Sequence, residues 1–285
     1  MSSVPTITDA TFAAFLRCET KAYLLREGAC GTSSGLAPWQ LSLTRAFKQL
    51  ASERLRSTVH KNECFVGTPS PRTLERGLYR IILDPLIASS DVRSQLDALW
   101  RFSSESNASK VLYGPIRFVR REKPSITDKL MLAFDAIVIA RATGRMPPSG
   151  KLIYGSQFVS VTVPLAKLLK SAGSSLTKAV SQANSTPPPP VLNKHCPECE
   201  FQARCRRVAV ETDDLSLLVN MTAKERKKHN DKGIFTVTQL SYRFRPRRRR
   251  RFEASQVKKA RTCPEGSRDT ERLCPRCRHP EVCCA

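Results

Sequence analysis

The chain has few acidic residues for its size and contains no long apolar run. Its 285 residues include 25 Asp or Glu against 48 Lys or Arg, which gives a formal net charge of +23 at pH 7. A surplus of this size favours nucleic acid as a partner, because phosphates that bind a basic surface release their counterions. A basic surface that is only solvated is the simpler alternative.

Membrane and secretory signals are also missing. No apolar stretch approaches the roughly 20 residues that span a bilayer. The first residues lack the basic and apolar regions of a secretory signal. We therefore expect a cytoplasmic protein that does not associate with membranes.

The short motifs of several large enzyme classes are absent from the sequence. There is no phosphate loop of the form Gly-x-x-x-x-Gly-Lys-Ser/Thr, no Gly-x-Ser-x-Gly elbow and no His-Glu-x-x-His zinc motif. The 4 histidines are scattered along the chain. These absences argue against P-loop nucleotide hydrolysis, serine-hydrolase chemistry and zinc-protease chemistry.

The hydrophobic pattern changes its period along the chain, which predicts both helices and strands. Helical spacing predicts four main helices, over residues 8–26, 38–57, 127–143 and 165–182. Short segments rich in strand-forming residues lie within 78–87, 92–100 and 111–119, and a hairpin is predicted over 151–163. Within the second segment, one face is predicted to carry Val92, Leu96, Ala98 and Trp100. The pattern predicts an α/β fold with a mixed sheet flanked by helices.

Changes in composition divide the chain into three parts. Residues 1–209 are expected to form the main domain, with the four consecutive prolines 187–190 as an extended spacer near its end. Residues 210–242 are expected to form a small helical appendage, since Thr222 and Glu225 have the spacing of a capping box. Residues 243–285 are a basic tail that contains cysteines.

A group of cysteines near residue 200 has the spacing of a metal site. The chain has 11 cysteines, and in a reducing compartment these are expected to be free thiols or metal ligands. Cys196, Cys199 and Cys205 place three soft ligands within ten residues, and a closed site normally needs a fourth. The candidates for the fourth ligand are His195, Cys30, Cys64 and Cys18. Zinc, an iron–sulfur cluster and a group of reduced thiols all remain compatible with this spacing.

Two further features complete a resemblance to a known family. Phe15-Leu16-Arg17-Cys18 lies near the start of the chain, and three more cysteines follow some 180 residues later. Thr127–Gly155 and Asp213–Leu240 add weaker similarity. Together these segments resemble the iron–sulfur branch of the PD-(D/E)XK nucleases, which includes RecB-like bacterial nucleases and CRISPR-associated RecB-family exonucleases. The resemblance covers roughly residues 10–245.

The resemblance implies a fold and a cofactor. It implies a restriction-endonuclease-like mixed sheet whose two ends are tied together by a [4Fe–4S] cluster. The implied cluster ligands are Cys18, Cys196, Cys199 and Cys205. It also implies a nucleic-acid partner, with DNA favoured over RNA.

The cutting residues of such nucleases are only partly present. The chemistry needs Mg²⁺ or Mn²⁺ held by carboxylates on two strands, with a lysine beside them. Asp97 is the candidate for the first carboxylate, but the next strand, Tyr113–Phe118, carries neither an acid nor a lysine. We therefore expect weak or no phosphodiester cleavage, and a divalent cation only if the domain is active. The basic residues on and just after this strand are Arg117, Arg120, Arg121 and Lys123. We expect them to bind phosphate, or else to form a solvated face.

The tail contains an arginine run that is expected to bind nucleic acid, with Arg247, Arg248, Arg249 and Arg250 as the candidate contacts. The cysteines from Cys263 to Cys284 have spacing compatible with a zinc knuckle. RecB-like nucleases of this type continue into a ribonuclease-H-like domain at this point. The resemblance therefore predicts that the chain is truncated and that its last residues have no selected role. The alternative function is a non-enzymatic, zinc-binding nucleic-acid adaptor.

Overall fold

The alternation of helical and strand periods along the chain is reproduced in the structure, a computed structural model that describes residues 6–32, 36–102, 111–183 and 186–243. The helices in these ranges are α1 (Asp9–Phe15), α2 (Glu19–Arg26), α3 (Leu36–Arg56), α4 (Pro71–Arg76), α5 (Ile126–Thr143), α6 (Ala166–Ala183), α7 (Gln202–Glu211), α8 (Ala223–Asn230) and α9 (Val237–Arg243). The strands are β1 (Ile7–Thr8), β2 (Cys64–Val66), β3 (Ile81–Leu83), β4 (Leu86–Ala88), β5 (Val92–Gln95), β6 (Ala98–Arg101), β7 (Tyr113–Val119), β8 (Ser149–Tyr154) and β9 (Val159–Pro164).

The strands form two sheets. The larger sheet has the order β2-β3-β6-β7-β8-β9, and the smaller has the order β1-β5-β4. In the larger sheet β2–β3 and β7–β8 are parallel pairs, while the other three pairs are antiparallel. A parallel pair needs a crossover connection, and α5 supplies it between β7 and β8. The sheet is therefore mixed, as predicted.

Helices cover both faces of the larger sheet. On one face α5 contributes a run of fully buried residues, and residues of α1, α6 and the smaller sheet join the same core. On the other face Phe47 and Ala51 of α3 pack against Ile81, Ile116 and Ile153. This arrangement confirms the prediction of an α/β fold with a mixed sheet flanked by helices.

The long helices begin and end close to the predicted residues. Helix α5 has Ser125 as its N-cap, in a capping box with Asp128, rather than the predicted Thr127. It ends at Gly144, whose φ of 71° is the left-handed conformation that glycine adopts most easily. The predicted hairpin turns at Gly155, which also has a φ of 71°.

The prediction of one helix over residues 8–26 was wrong. The structure has two helices, α1 and α2, and Cys18 lies between them in an extended conformation, with φ −162° and ψ 117°. Cys18 is the N-cap of α2, because its Sγ accepts a hydrogen bond from the backbone N–H of Lys21 at 3.5 Å. In the sequence, the apolar residues of α1 and α2 have the spacing expected of one continuous helix.

The prediction of one strand over residues 92–100 was also wrong. The chain changes sheet near Leu96, so that β5 belongs to the smaller sheet and β6 to the larger one. Val92 and Leu96 consequently pack in the core beneath α5, while Ala98 and Trp100 pack on the α3 side. These four residues therefore do not share one face.

The segment predicted as an appendage contains α8, α9 and a short 3₁₀ turn at Leu215–Leu217. The capping box predicted for Thr222 and Glu225 is present at the start of α8. This segment belongs to the same compact unit as the described residues before it, and that unit ends at Arg243. The predicted tail after Arg243 lies outside the described residues.

Within the described ranges, we find no helix that is both long enough and apolar enough to cross a membrane.

The packing of α5 on the sheet predicts opposite effects for two Gly-to-Ala substitutions. A Cβ at Gly150 of β8 would lie 2.7 Å from Cγ of the buried Leu132, whereas a Cβ at Gly173 within α6 would meet no atom within 4 Å. We expect Gly150→Ala to destabilise the fold by about 1–3 kcal/mol through overpacking. We expect Gly173→Ala to stabilise it by about 0.5–1 kcal/mol through helix propensity. Urea denaturation of both variants measures the difference, and equal effects would contradict the described packing.

Candidate functional site

Residues near the start of the chain contact the segment that carries the later cysteines. Lys21 Nζ lies 2.7 Å from Glu200 Oε2, and Thr32 donates its backbone N–H to the Glu200 carbonyl at 2.9 Å. Asn193 Nδ2 donates to the carbonyl oxygen of Arg17 at 3.3 Å. These contacts bring the Cys18 region to the segment of Cys196, Cys199 and Cys205.

Local hydrogen bonds set the backbone around each of the later cysteines. Cys196 begins a 3₁₀ turn, Cys196–Glu198, which Pro197 stiffens, and Cys199 donates its N–H to the Cys196 carbonyl at 3.0 Å. Cys196 Sγ accepts a hydrogen bond from the N–H of Asn193 at 3.2 Å. Cys205 lies in α7, where its N–H bonds to the carbonyl of Phe201 at 3.0 Å.

The four cysteines influence one another electrostatically. Burial, and then the negative charges of Cys18, Cys199 and Cys196, raise the pKa of Cys205 to about 11. Burial also raises the pKa of Cys199, and Cys18 contributes in the same direction.

In the part of the chain that the structure describes, no group of three or more His, Cys, Asp or Glu side chains is gathered closely enough to hold a metal ion. The other ligand candidates are also placed: His195 precedes the 3₁₀ turn, Cys30 is exposed after α2, and Cys64 begins β2. Burial, with Arg17 and Lys194 nearby, lowers the pKa of His195.

A groove of about 330 Å³ opens beside Cys205. Its walls come from α2, from α7 and from the proline segment, whose Pro187, Pro188 and Pro190 line it. The prolines predicted as a spacer thus also shape the surroundings of the cysteine region.

Asp97, the predicted first carboxylate, is held by protein groups on both of its oxygens. Lys48 Nζ of α3 lies 2.6 Å from Oδ1, and the backbone N–H of Phe118 on β7 donates to Oδ2 at 2.7 Å. Its side chain is 7% exposed. Each oxygen of Asp97 therefore already has a protein partner.

Arg117, predicted to contact phosphate, is instead part of a buried ion pair. Its Nε and Nη2 donate to Asp135 of α5 at 2.9 and 3.0 Å, and Ser94 Oγ donates to the same carboxylate at 2.7 Å. Burial alone would lower the pKa of Arg117, but Asp135, with help from Asp97, outweighs it and raises that pKa. Burial raises the pKa of Asp135, and Arg117 opposes that shift. This placement argues against the predicted phosphate contact of Arg117.

The strand register shows what faces Asp97 on β7. Ala98 pairs with Ile116 and Leu99 with Pro115, so Arg117 lies opposite Asp97. The sequence of β7, YGPIRFV, contains no Asp, Glu or Lys. A second carboxylate is thus missing from the strand on which a two-strand metal site would need it.

The other predicted phosphate contacts of the body lie on the turn after β7, and all are exposed. Arg121 Nη2 is 3.6 Å from Asp128 Oδ1, a distance typical of a weak surface pair. Arg120 and Lys123 form no ion pair with any residue that the structure describes. The predicted contacts Arg247, Arg248, Arg249 and Arg250 lie outside the described residues.

The sequence analysis missed two residues of this site, Asp135 and Lys48. Asp135 gave a usable signal, because a carboxylate in the most apolar helix of the chain requires a buried partner. Lys48 gave none, since a lysine on a helix of mixed polarity is most simply a surface residue.

Comparisons with known proteins add little. No protein-family model matches the chain, and no curated protein matches it. The crystal structure of SSO0001 is similar over 73% of this chain and 88% of the SSO0001 chain, with 15% sequence identity and a TM-score of 0.38. A similarity at this level supports no conclusion about the fold or the function of this chain.

The Arg117–Asp135 pair predicts a strong effect of breaking it from one side. We expect Asp135→Leu to destabilise the protein by about 3–5 kcal/mol, because the Arg117 charge would stay buried without a partner. The double variant Arg117→Met/Asp135→Leu is expected to recover most of that loss, since no buried charge remains. Urea denaturation measures both values.

A matched control is Arg121→Met, which removes an exposed arginine from a 3.6 Å pair and is expected to cost less than about 1 kcal/mol. If Asp135→Leu behaves like that control, the pair does not stabilise the core as described.

Proposed function

We propose that this chain is a RecB-like, PD-(D/E)XK-type nuclease domain that binds nucleic acid in the cytoplasm and cuts it weakly or not at all. In this proposal, Cys18, Cys196, Cys199 and Cys205 hold a [4Fe–4S] cluster. The observation that carries the proposal is that the segment around Cys18 contacts the segment of the three later cysteines, through Lys21–Glu200 and Asn193–Arg17.

The chemistry of the cysteines fits such a cluster. Four thiolates are the usual ligand set of [4Fe–4S] clusters, and mutual repulsion of their charges makes a bound cation favourable. When bound, the cluster would contribute a covalent connection between the two ends of the domain.

The surroundings of Asp97 support weak or absent cleavage. A hard divalent cation needs several oxygen ligands, and Asp97 is bound by Lys48 and by the N–H of Phe118. With Arg117 directed to Asp135, no lysine or arginine of β7 is free to position a water molecule or a phosphate there.

Nucleic acid remains the partner that the charge favours. The net charge of +23 provides attraction for phosphates, and Arg120, Arg121 and Lys123 offer it on an exposed turn. DNA is proposed ahead of RNA on the family resemblance alone.

Substitution of Cys18 tests the cluster. In protein purified without oxygen, we expect about four irons and four acid-labile sulfides per chain. We expect Cys18→Ser to lose most of the iron and several degrees of melting temperature, because the connection between the two ends would be gone. Iron and sulfide analysis with thermal unfolding measures both.

Cys64→Ser is the matched control, because Cys64 is a half-buried cysteine on β2 and is expected to leave the iron content unchanged. Colourless protein with stoichiometric zinc would contradict the cluster and support a zinc-binding adaptor. Unchanged iron in Cys18→Ser would show that this cysteine is not a ligand.

Cleavage is tested separately from metal content. Incubation with single-stranded DNA and Mn²⁺ is expected to give no degradation above that of the Asp97→Ala variant. The reason is that β7 supplies no second carboxylate and that Asp97 is already paired with Lys48. Mn²⁺-dependent degradation that Asp97→Ala abolishes would show that the domain is an active nuclease.

A further inference from the structure

The segment after the cysteines forms a helical hairpin that is fixed to the body. We call residues 222–243, which contain α8, the connecting loop and α9, the basic hairpin. Arg226 donates to both oxygens of Asp214, at 3.2 and 2.6 Å, and Val237 donates its N–H to the Asp213 carbonyl at 2.9 Å. In the loop, Ile234 is buried. The hairpin is therefore a defined surface rather than a loose extension.

The acidic and basic side chains of this region have different roles. Asp213 accepts from the N–H of Thr238 at 2.8 Å, Asp214 binds Arg226, and Glu225 accepts from the hydroxyl of Thr222 at 2.8 Å. Most of the carboxylates thus hold the fold together, with Asp231 left exposed.

The lysines face solvent instead. The exposed cations of the hairpin are Lys224, Lys227, Lys228, Lys232 and Arg243. None of them forms an ion pair with a residue that the structure describes. Cations in the last turn of a helix interact favourably with its dipole, which accounts for Lys227 and Lys228 on α8 and for Arg243 on α9. The dipole does not account for Lys224, in the first turn of α8, or for Lys232, in the connecting loop, and both are available to an external anion.

Two aromatic rings are exposed in the same hairpin. Phe235 in the loop is 56% exposed and Tyr242 on α9 is 85% exposed. The backbone N–H of Phe235 donates to Gln239 Oε1 at 2.7 Å, which fixes the position from which its ring projects. Exposed rings beside cations are typical of surfaces that bind unpaired nucleic-acid strands, because the rings stack on bases while the cations contact phosphates. In a duplex the base faces are already stacked and are not accessible.

A membrane surface fits this region less well. Peripheral helices insert an apolar face between lipids, and α8 (AKERKKHN) has Ala223 as its single apolar residue.

We propose that the basic hairpin binds a single strand of nucleic acid, with Lys224, Lys227 and Lys228 on the phosphates and with Phe235 and Tyr242 stacked on bases. The inference rests on the proposed function and names the surface and the strand state that it recognises. Stacking and phosphate contacts are common to DNA and RNA, so both are probed.

The test measures binding of the full chain by fluorescence anisotropy. The probes are a labelled 20-nucleotide DNA strand, the RNA of the same sequence and the corresponding DNA duplex. We expect Lys224→Gln/Lys227→Gln/Lys228→Gln to weaken single-strand binding about tenfold and to reduce the magnitude of the salt slope by about 2, since each single-strand phosphate contact contributes about 0.7. We expect Phe235→Ala to weaken single-strand binding about tenfold while leaving duplex binding unchanged.

The control variant for charge is Lys167→Gln/Lys170→Gln/Lys178→Gln, which removes three exposed lysines from α6, and the control for the aromatic ring is Trp39→Ala on α3. Both are expected to bind as the wild type does. Circular dichroism verifies folding, and if the triple variant unfolds, Phe235→Ala and Tyr242→Ala decide the outcome.

The two proposals fail in different ways. If the wild type binds none of the probes, the proposed function is wrong, and binding to vesicles that contain phosphatidylserine would then assign the surface to a membrane. If the wild type binds but the hairpin variants match their controls, the proposed function stands and the hairpin inference is wrong. Equal weakening of strand and duplex by Phe235→Ala would overturn the preference for unpaired strands.

Discussion

The carboxylate of Asp135 is buried, and it accepts hydrogen bonds from Ser94 and Arg117. Asp135 lies on α5, Ser94 on the smaller sheet and Arg117 on the larger sheet. One buried group therefore connects the central helix to both sheets. An unpaired charge in such a place costs several kcal/mol. The hydrophobic core therefore has to pack so that α5 and the two sheets keep Asp135 bonded to Ser94 and Arg117.

The same interaction determines the chemistry that is possible nearby. Arg117 lies opposite Asp97 in the strand register, yet its hydrogen bonds go to Asp135 in the core. Lys48 completes the neutralisation of Asp97 from α3. Charges that a nuclease would direct at phosphate and metal are here directed at one another. The β7–α5 turn and the basic hairpin each carry exposed cations that an external partner can reach.

Much of the fold follows from local pattern, whereas the pairing of distant charges does not. The periods of α3, α5 and α6 and the glycine at the end of α5 identify these helices from sequence. The break between α1 and α2 at Cys18 and the change of sheet near Leu96 depend on tertiary contacts, which the hydrophobic pattern of the sequence does not show. Spacing alone marks Cys196, Cys199 and Cys205 as candidate ligands, but it does not select Cys18 over Cys30 or Cys64, and that choice came from the family resemblance. Lys48 became relevant only once α3 was placed across the sheet.

Lys21 and Glu200, which form a salt bridge, are 179 residues apart in the sequence, so they are synthesised at different times. At about 5–20 residues per second, α2 emerges from the ribosome roughly 10–35 s before its partner segment is made. During that interval the thiol of Cys18 has none of its three later neighbours beside it. The nascent chain therefore passes through a period in which this cysteine is open to oxidants and to other thiols, and that period lasts until the segment that contains Glu200 has been made.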